Sequence, residues 1–324
     1  MMLWPVAVCL LLLLLLFLLC DCDPVLAVLS ALGRGRPALR DRVIWLTGAS
    51  SGIGEALAVE LAACGARLAL SARRPAELER VRRRCLEAGA AADQVLVLPL
   101  DVTEFEQHRP ALDRLLAHFG RLDVLVNNAG RSQRCAWADT RPAVDRQLFE
   151  LNVFAPVELT RVALPELVSR RGGQVVVMSS TAGTCPAPCS GSYTGSKHAL
   201  HGFFGALRSE LSAAGLRVTL LCPGPTFSDL LRSAFVAEPG QVFGGEMSAS
   251  DRRMTAERCA RLCAVAIGAQ LAEAWIAIQP ILLFQYLNHY TPWLINFVFQ
   301  LTGARLAMQL RDSRNSVPVE TKQK

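Results

Sequence analysis

Val43-Ile-Trp-Leu-Thr-Gly-Ala-Ser-Ser-Gly-Ile-Gly-Glu55 is the stretch on which the fold turns. Val43 to Leu46 reads as a buried strand and Glu55 to Cys64 as a helix, with Thr47 to Gly54 between them. Glycines at 48, 52 and 54 permit a tight strand-to-helix turn. They also let backbone amides approach a pyrophosphate at the helix N-terminus. The spacing is G-x-x-x-G-x-G rather than G-x-G-x-x-G. Its place directly after a strand and before a helix makes it specific.

Strand and helix patterns alternate from there onward. Arg67 to Ser71, Val95 to Leu100, Leu122 to Val126, Val175 to Met178 and Arg217 to Cys222 read as further strands, and Pro142 to Ser169 as a long helical region. This alternation predicts an α/β fold, a doubly wound parallel sheet of Rossmann type in a single domain. No internal repeat or low-complexity linker interrupts it.

An acidic residue about 20 positions past the glycines would bind the ribose 2′-hydroxyl of NAD. Ser71-Ala-Arg-Arg74 stands there instead, and the first acids are Glu77 and Glu79. A guanidinium suits a 2′-phosphate by charge and by its fork of donors. Arg73 therefore points to NADP(H), although Arg74 equally suits a solvated helix start. Asp101, closing the third strand, suits either the adenine amine or a helix cap near Glu104.

The chemistry sits at the end of the fifth strand and in the helix after it. Tyr193 and Lys197 are one helical turn apart, and Ser180 precedes Tyr193 by thirteen residues. A phenol with an ordinary pKa of about 10 is a poor proton carrier at neutral pH. A nearby ammonium is expected to lower it, and a drop of about three units needs roughly 4 kcal/mol. With the Ser hydroxyl beside the phenol, the set forms a proton-transfer site for a carbonyl or an alcohol. Asn152, inside an apolar helix, is a buried polar group that needs a reason.

These residues resemble the short-chain dehydrogenase/reductase family over nearly the whole span from Val43 to about Pro280. Thr47 to Gly54, Asn127 to Gly130, Ser180, Tyr193, Lys197 and Pro223-Gly224 fall in family order and spacing. The resemblance implies that Tyr193 is the general acid/base, that Lys197 binds the nicotinamide ribose, and that Ser180 orients the substrate oxygen. Asn152 would hold a water of the proton relay. Ser51 and Ile53, with Gly48, Ser50 and Gly54 of the same turn, resemble the pyrophosphate contacts. Asn128 resembles a ribose contact, and Ser228 replaces a Thr near the nicotinamide amide. Finer features resemble the membrane-bound reductases of the endoplasmic reticulum within that family. They imply NADPH-dependent reduction of retinoid, steroid and xenobiotic carbonyls.

The chain has 324 residues, a net charge of +6 and an apolar fraction of 52%, above the usual 45–50%. The excess sits at the ends. Met2 to Cys20 carries no charge and just suffices to cross a bilayer, so 1–24 reads as a single-pass transmembrane anchor rather than a cleaved signal. A juxtamembrane linker, 25–40, precedes the domain at 41–280. Arg34, Arg36, Arg40 and Arg42 favour a cytoplasmic side for it. The apolar C-terminal extension, 281–310, suits a membrane interface, and equally a homodimer or core contact. The polar tail, 311–324, reads as disordered. Thr184 to Ser192 and Phe227 to Met254 would flank the mouth of the site. Phe227, Leu230, Leu231, Phe235 and Phe243 suit either a lipophilic small-molecule substrate or a lid's own core.

Scattered arginines without aromatic interleaving give no nucleic-acid surface. Eleven thinly spread cysteines read as free thiols. The pairs Cys185/Cys189 and Cys259/Cys263 lack a His in register, so no metal is expected. Two other classes compete with the reductase. One is a membrane-associated nucleotide-binding protein with little turnover. The other is a sugar-nucleotide epimerase, for whose substrate domain the chain after Pro280 leaves too little room.

Overall fold

Apolar runs stopped by turn residues become seven strands in the computed structural model, which describes residues 17–169 and 172–312. They are β1 Val43–Thr47, β2 Arg67–Ser71, β3 Val95–Val97, β4 Val124–Asn127, β5 Gln174–Met178, β6 Arg217–Pro223 and β7 Glu273–Ile276. All pair in parallel, in the order β3-β2-β1-β4-β5-β6-β7. Every residue of β1 and β5 is buried, as a sheet covered on both faces requires. The strand order reverses between β1 and β4, which opens a crevice at the carboxyl ends of the strands.

Helices cover the two faces. They are α1 Pro24–Ala31, α2 Gly52–Ala63, α3 Pro75–Glu87, α4 His108–Phe119, α5 Pro142–Phe149, α6 Ala155–Ser169, α7 Gly191–Leu211 and α8 Ala256–Gly268, then α9 Ile281–Tyr290 and α10 Pro292–Asp312. Alternate residues of β1 serve opposite cores. Ile44 and Leu46 pack with Leu57 and Leu61 of α2 and Cys259 and Cys263 of α8. Trp45 packs with Leu112 and Leu115 of α4, Leu159 of α6 and Phe204 of α7.

The strands and helices expected from the sequence form, with four differences. The third strand stops at Val97, because Pro99 has no N–H to give the ladder; Leu98 and Leu100 still donate singly to Leu70 and Ala72. The long helix expected over 142–169 is broken by a π-helical turn at Glu150–Phe154. A seventh strand, too short to show a pattern, closes the sheet at Glu273–Ile276.

The fourth difference lies at the ends. The stretch expected as a linker, 25–40, folds onto the domain together with the end of the expected anchor, 1–24: Leu26 and Leu39 of the one and Cys22 of the other belong to the core. Asp21 holds Arg258 of α8 through two bonds of 2.8 and 3.0 Å. Asp23 caps α1 by accepting from Leu26, and both its backbone and its carboxylate pair with Trp275 of β7. Of the tail expected as disordered, Arg311 and Asp312 end α10, Arg311 donating to Ser190 Oγ at 3.0 Å, and 313–324 lie outside the described residues. The uncharged run expected as an anchor lies almost wholly outside the described residues. Among the described residues, no helix is long and apolar enough to cross a membrane.

Candidate active site

The glycine turn is shaped for a close-lying ligand. Gly48 and Gly52 take positive φ, 64° and 57°. A Cβ on Gly54 would sit 2.1 Å from the carbonyl oxygen of Gly48, and one on Gly52 would lie 3.0 Å from Cβ of Ser228. Only glycine fits such positions, and the backbone lies bare to the cleft. Asn128 braces the turn, its side-chain amide donating to Thr47 O and Gly48 O at 3.0 and 3.1 Å. Behind it, Arg80 of α3 donates to the carbonyl of Ser50 and to the carboxylate of Glu55, which Arg84 also holds.

This turn forms one end of a single cavity of about 890 Å³, which also takes in the end of β5 and the start of α7. Gly48, Ser50, Ser51, Ile53, Gly54, Arg73, Asp101, Asn128, Ser180, Tyr193, Lys197 and Ser228 all line it. The structure thus gathers into one cleft residues that are scattered over 180 positions of sequence. Arg73 is exposed at its rim, with no carboxylate at the end of β2. Asp101 accepts from the backbone and the hydroxyl of Thr103 at 3.0 and 2.7 Å. It therefore closes its own turn rather than capping a helix at Glu104.

At the other end, Ser180 and Tyr193 line the same cavity, and the Ser180 hydroxyl opposes the rise of the phenol's pKa. Ser180 Oγ accepts from Ala182 N at 3.1 Å and donates to Pro223 O at 3.3 Å, which fixes its direction. Lys197 is buried, donates to Met178 O at 2.7 Å, and lies 5.7 Å from the centre of the Tyr193 ring. Burial pulls its ammonium down to about 8.

Tyr193 corrects an expectation. Burial pushes its phenol up, and the opposing pulls come from Ser180, Arg134 and Arg311 rather than from Lys197. Lys197 spends its ammonium on Met178 O instead of on the phenol oxygen. Part of Tyr193 stays open to the cavity, so solvent limits the rise.

Asn152 stands in the π turn, where the regular helical ladder is interrupted. Its side chain accepts from Arg131 N and donates to Arg131 O, both at 2.9 Å, and donates to Ser196 Oγ at 3.1 Å. The side chain is thus a brace between α7 and the loop after β4, not a free water holder. It does not itself line the cavity.

Two contributors were not read from the sequence. Arg134 is buried on the cavity wall and donates to Ser132 Oγ and Gln133 O. Nothing in its local pattern announces it. Arg311 had a readable signal, since Ala304-Arg-Leu-Ala-Met-Gln-Leu-Arg311 is built of strong helix formers and carries the helix up to it. Beneath the catalytic helix, His201, Cys222 and Glu273 also come together. His201 Nε2 lies 2.9 Å from Ser179 Oγ and 3.8 Å from Cys222 Sγ, and burial pulls the imidazole down.

Glycine turn, closing Asn-Asn-Ala-Gly and a Ser–Tyr–Lys set in one cleft are the geometry that decides kinship. The profile for short chain dehydrogenase matches residues 42–238. The chain belongs to the short-chain dehydrogenase/reductase family. Among curated relatives of this family, "Dehydrogenase/reductase SDR family member 7" of Homo sapiens is 44% identical over 307 residues, covering 91% of this chain and 90% of its own. "Dehydrogenase/reductase SDR family member 7B" of Mus musculus is 36% identical and covers 69% and 70%. A solved short-chain dehydrogenase/reductase from Burkholderia phymatum, in complex with NAD, superposes with a TM-score of 0.68 at 26% identity, over 80% of this chain and 96% of that one. Membership makes the chain an oxidoreductase by family. The cleft's bare glycine turn, its amides and its hydroxyls fit a nicotinamide dinucleotide.

Proposed function

We propose that this chain is a membrane-associated reductase that uses NADPH to reduce lipophilic ketones or aldehydes, with retinoid, steroid and xenobiotic carbonyls as the substrate classes. The Ser180–Tyr193 pair in the same cleft as the glycine turn carries this reading. A bound nicotinamide dinucleotide supplies the hydride. The chain supplies the rest. Ser180, held by Ala182 N, turns its one proton from Pro223 O to the carbonyl oxygen of the substrate when substrate binds. Tyr193, kept protonated by burial, gives that oxygen its proton. A neutral phenol suits the reductive direction, because reduction needs a donor and oxidation a base. Lys197 keeps a positive charge beside the ring at neutral pH, which favours the phenolate left after transfer.

Preference for NADPH rests on Arg73 at the rim and on the lack of an acid at the end of β2. Arg131, whose guanidinium charge is disfavoured by burial and then by Arg73, adds a second cation to the lining of the same cavity. A lipophilic substrate is supported by Leu230, Leu231, Ile281, Phe284, Val298 and Phe299, which line the far wall. Attachment to the endoplasmic reticulum membrane rests on the uncharged run Met2 to Cys20.

The test is NADPH oxidation by detergent-purified protein with a panel of retinals, ketosteroids and small quinones, wild type beside Tyr193→Phe. Turnover falling about 10²–10⁴-fold in the variant, with NADPH affinity unchanged, is expected. Equal rates in both proteins would defeat the assignment of Tyr193. Binding of NADPH without turnover in either would favour the nucleotide-binding protein. Arg73→Asp is expected to reverse the NADPH-over-NADH preference, and an unchanged ratio would remove the argument from Arg73.

A further inference from the structure

We propose that the helix pair α9–α10 lies in the surface of a phospholipid bilayer and passes lipophilic substrate from the membrane into the cavity, an inference that rests on the reductase reading above. Residues 274 to 304 contain no Asp, Glu, Lys or Arg, yet they form the outermost helices of the C-terminal part. One side of the pair is the cavity wall: Ile281, Phe284, Val298 and Phe299 line it, and Leu282 and Ile295 are buried. The other side is apolar as well. Trp293, Phe297 and Leu301, at four-residue spacing on α10, are 69%, 52% and 71% exposed. A helix that is apolar on both faces suits lipid on the face that protein leaves uncovered.

The chain outside the described residues says what covers that face. The uncharged run that begins at Met2 reaches the described residues at Phe17. The Phe17 ring packs edge-on against Tyr286 of α9 at 5.2 Å, and its carbonyl accepts from Gln279 Nε2 at 3.0 Å. Hence the described end of the run that suits a bilayer is held beside α9. Of the thirteen exposed large apolar residues described, nine belong to these two terminal regions: Leu18 to Leu32 supply five and Tyr290 to Leu301 four. Trp275, Tyr286, His289 and Tyr290 cluster at the same place, ring to ring, with the mixed polarity that membrane–water boundaries favour.

The pair is also fastened to the Thr184 to Ser192 loop beside the cavity. Asn288 donates to Thr184 O at 2.7 Å, and Gln285 to Thr184 Oγ1. Beyond the break at Gly303, where φ is 64°, Met308 meets Cys189 and Arg311 meets Ser190. The lipid-facing stripe therefore precedes the break; the loop is held at Thr184 by α9 and at Cys189 and Ser190 by the part after the break.

The test uses the full chain in phosphatidylcholine vesicles. A photoreactive p-benzoylphenylalanine replaces Trp293, Phe297 or Leu301 in turn, and Phe203 as an exposed control far from the pair in sequence. Lipid adducts at 293, 297 and 301 and none at 203 are expected by mass spectrometry. Adducts to a second copy of the chain, or no lipid adduct at the three positions, would overturn the proposal. The substitution pair Trp293→Glu with Phe297→Glu then tests passage. KM for a long-chain aldehyde held in the vesicles should rise at least about ten-fold, while KM for a short water-soluble aldehyde and NADPH affinity stay unchanged. An equal effect on both aldehydes would overturn the access route. If no aldehyde is turned over, the reductase reading fails by itself, and the lipid adducts still decide the membrane contact.

Discussion

Lys197 shows how a buried charge couples catalysis to stability. Its folded pKa is about 8, against about 10.4 for a lysine in an unfolded chain. Between those values the unfolded state binds more protons, so stability from this group rises with pH across that window. Below about pH 8 both states are protonated and its contribution is constant and least favourable. Wild type should therefore gain on the order of 1–2 kcal/mol relative to Lys197→Met between pH 8 and 9.5. Denaturant unfolding of both proteins at the two pH values measures it. In the free enzyme, kcat/KM for NADPH should fall above pH about 8 as the ammonium is lost. At this scale the sequence was informative about identity and poor about state. Tyr193 and Lys197 share a helix face by their spacing, but that pair alone is weak, and it was the order of the glycine turn, Asn-Asn-Ala-Gly and Ser180 before it that made the set legible. The direction of the Tyr193 shift was not legible. It is set by burial, which outweighs the opposing pulls of Ser180, Arg134 and Arg311, while Met178 O draws the Lys197 ammonium away; all of these are fixed only in three dimensions.

Among elements, α3 acts as a strut for the glycine turn. Arg80 reaches from it to Ser50 O and Glu55, so Arg80→Ala should free the turn without touching the cleft. The pair is partly exposed, so about 1 kcal/mol is reasonable, a roughly five-fold weaker NADPH affinity, to be read by fluorescence titration. The π turn at Glu150–Phe154 is held by Asn152 bonding across to Arg131 and Ser196. Asn152→Ala leaves those groups without their partner in the interior and should cost about 1–3 kcal/mol in an unfolding titration. Strand positions were readable because apolar runs end at Gly, Pro or Asp. The π turn was not, since its cause is a tertiary bond and not a local preference. Nor was β7, whose Glu-Ala-Trp-Ile is too short for a period to show.

For the molecule as a whole, the alternation of strand and helix patterns announced an α/β sheet but not where its packing begins, because whether Cys22 and Leu26 pack on the domain is settled by a surface that only the finished fold presents. The pairing of Asp23 with Trp275 has a practical consequence. β7 is the last strand of the sheet, and its outer N–H and C=O groups would otherwise invite another chain to add a strand. Asp23 occupies that place with its own backbone and carboxylate. A chain shortened to begin at Pro24 should therefore self-associate and precipitate, whereas one that begins at Phe17 stays dispersed, as light scattering at equal concentration would show. Asp23 thus serves the solubility of the protein as much as it joins α1 to the sheet.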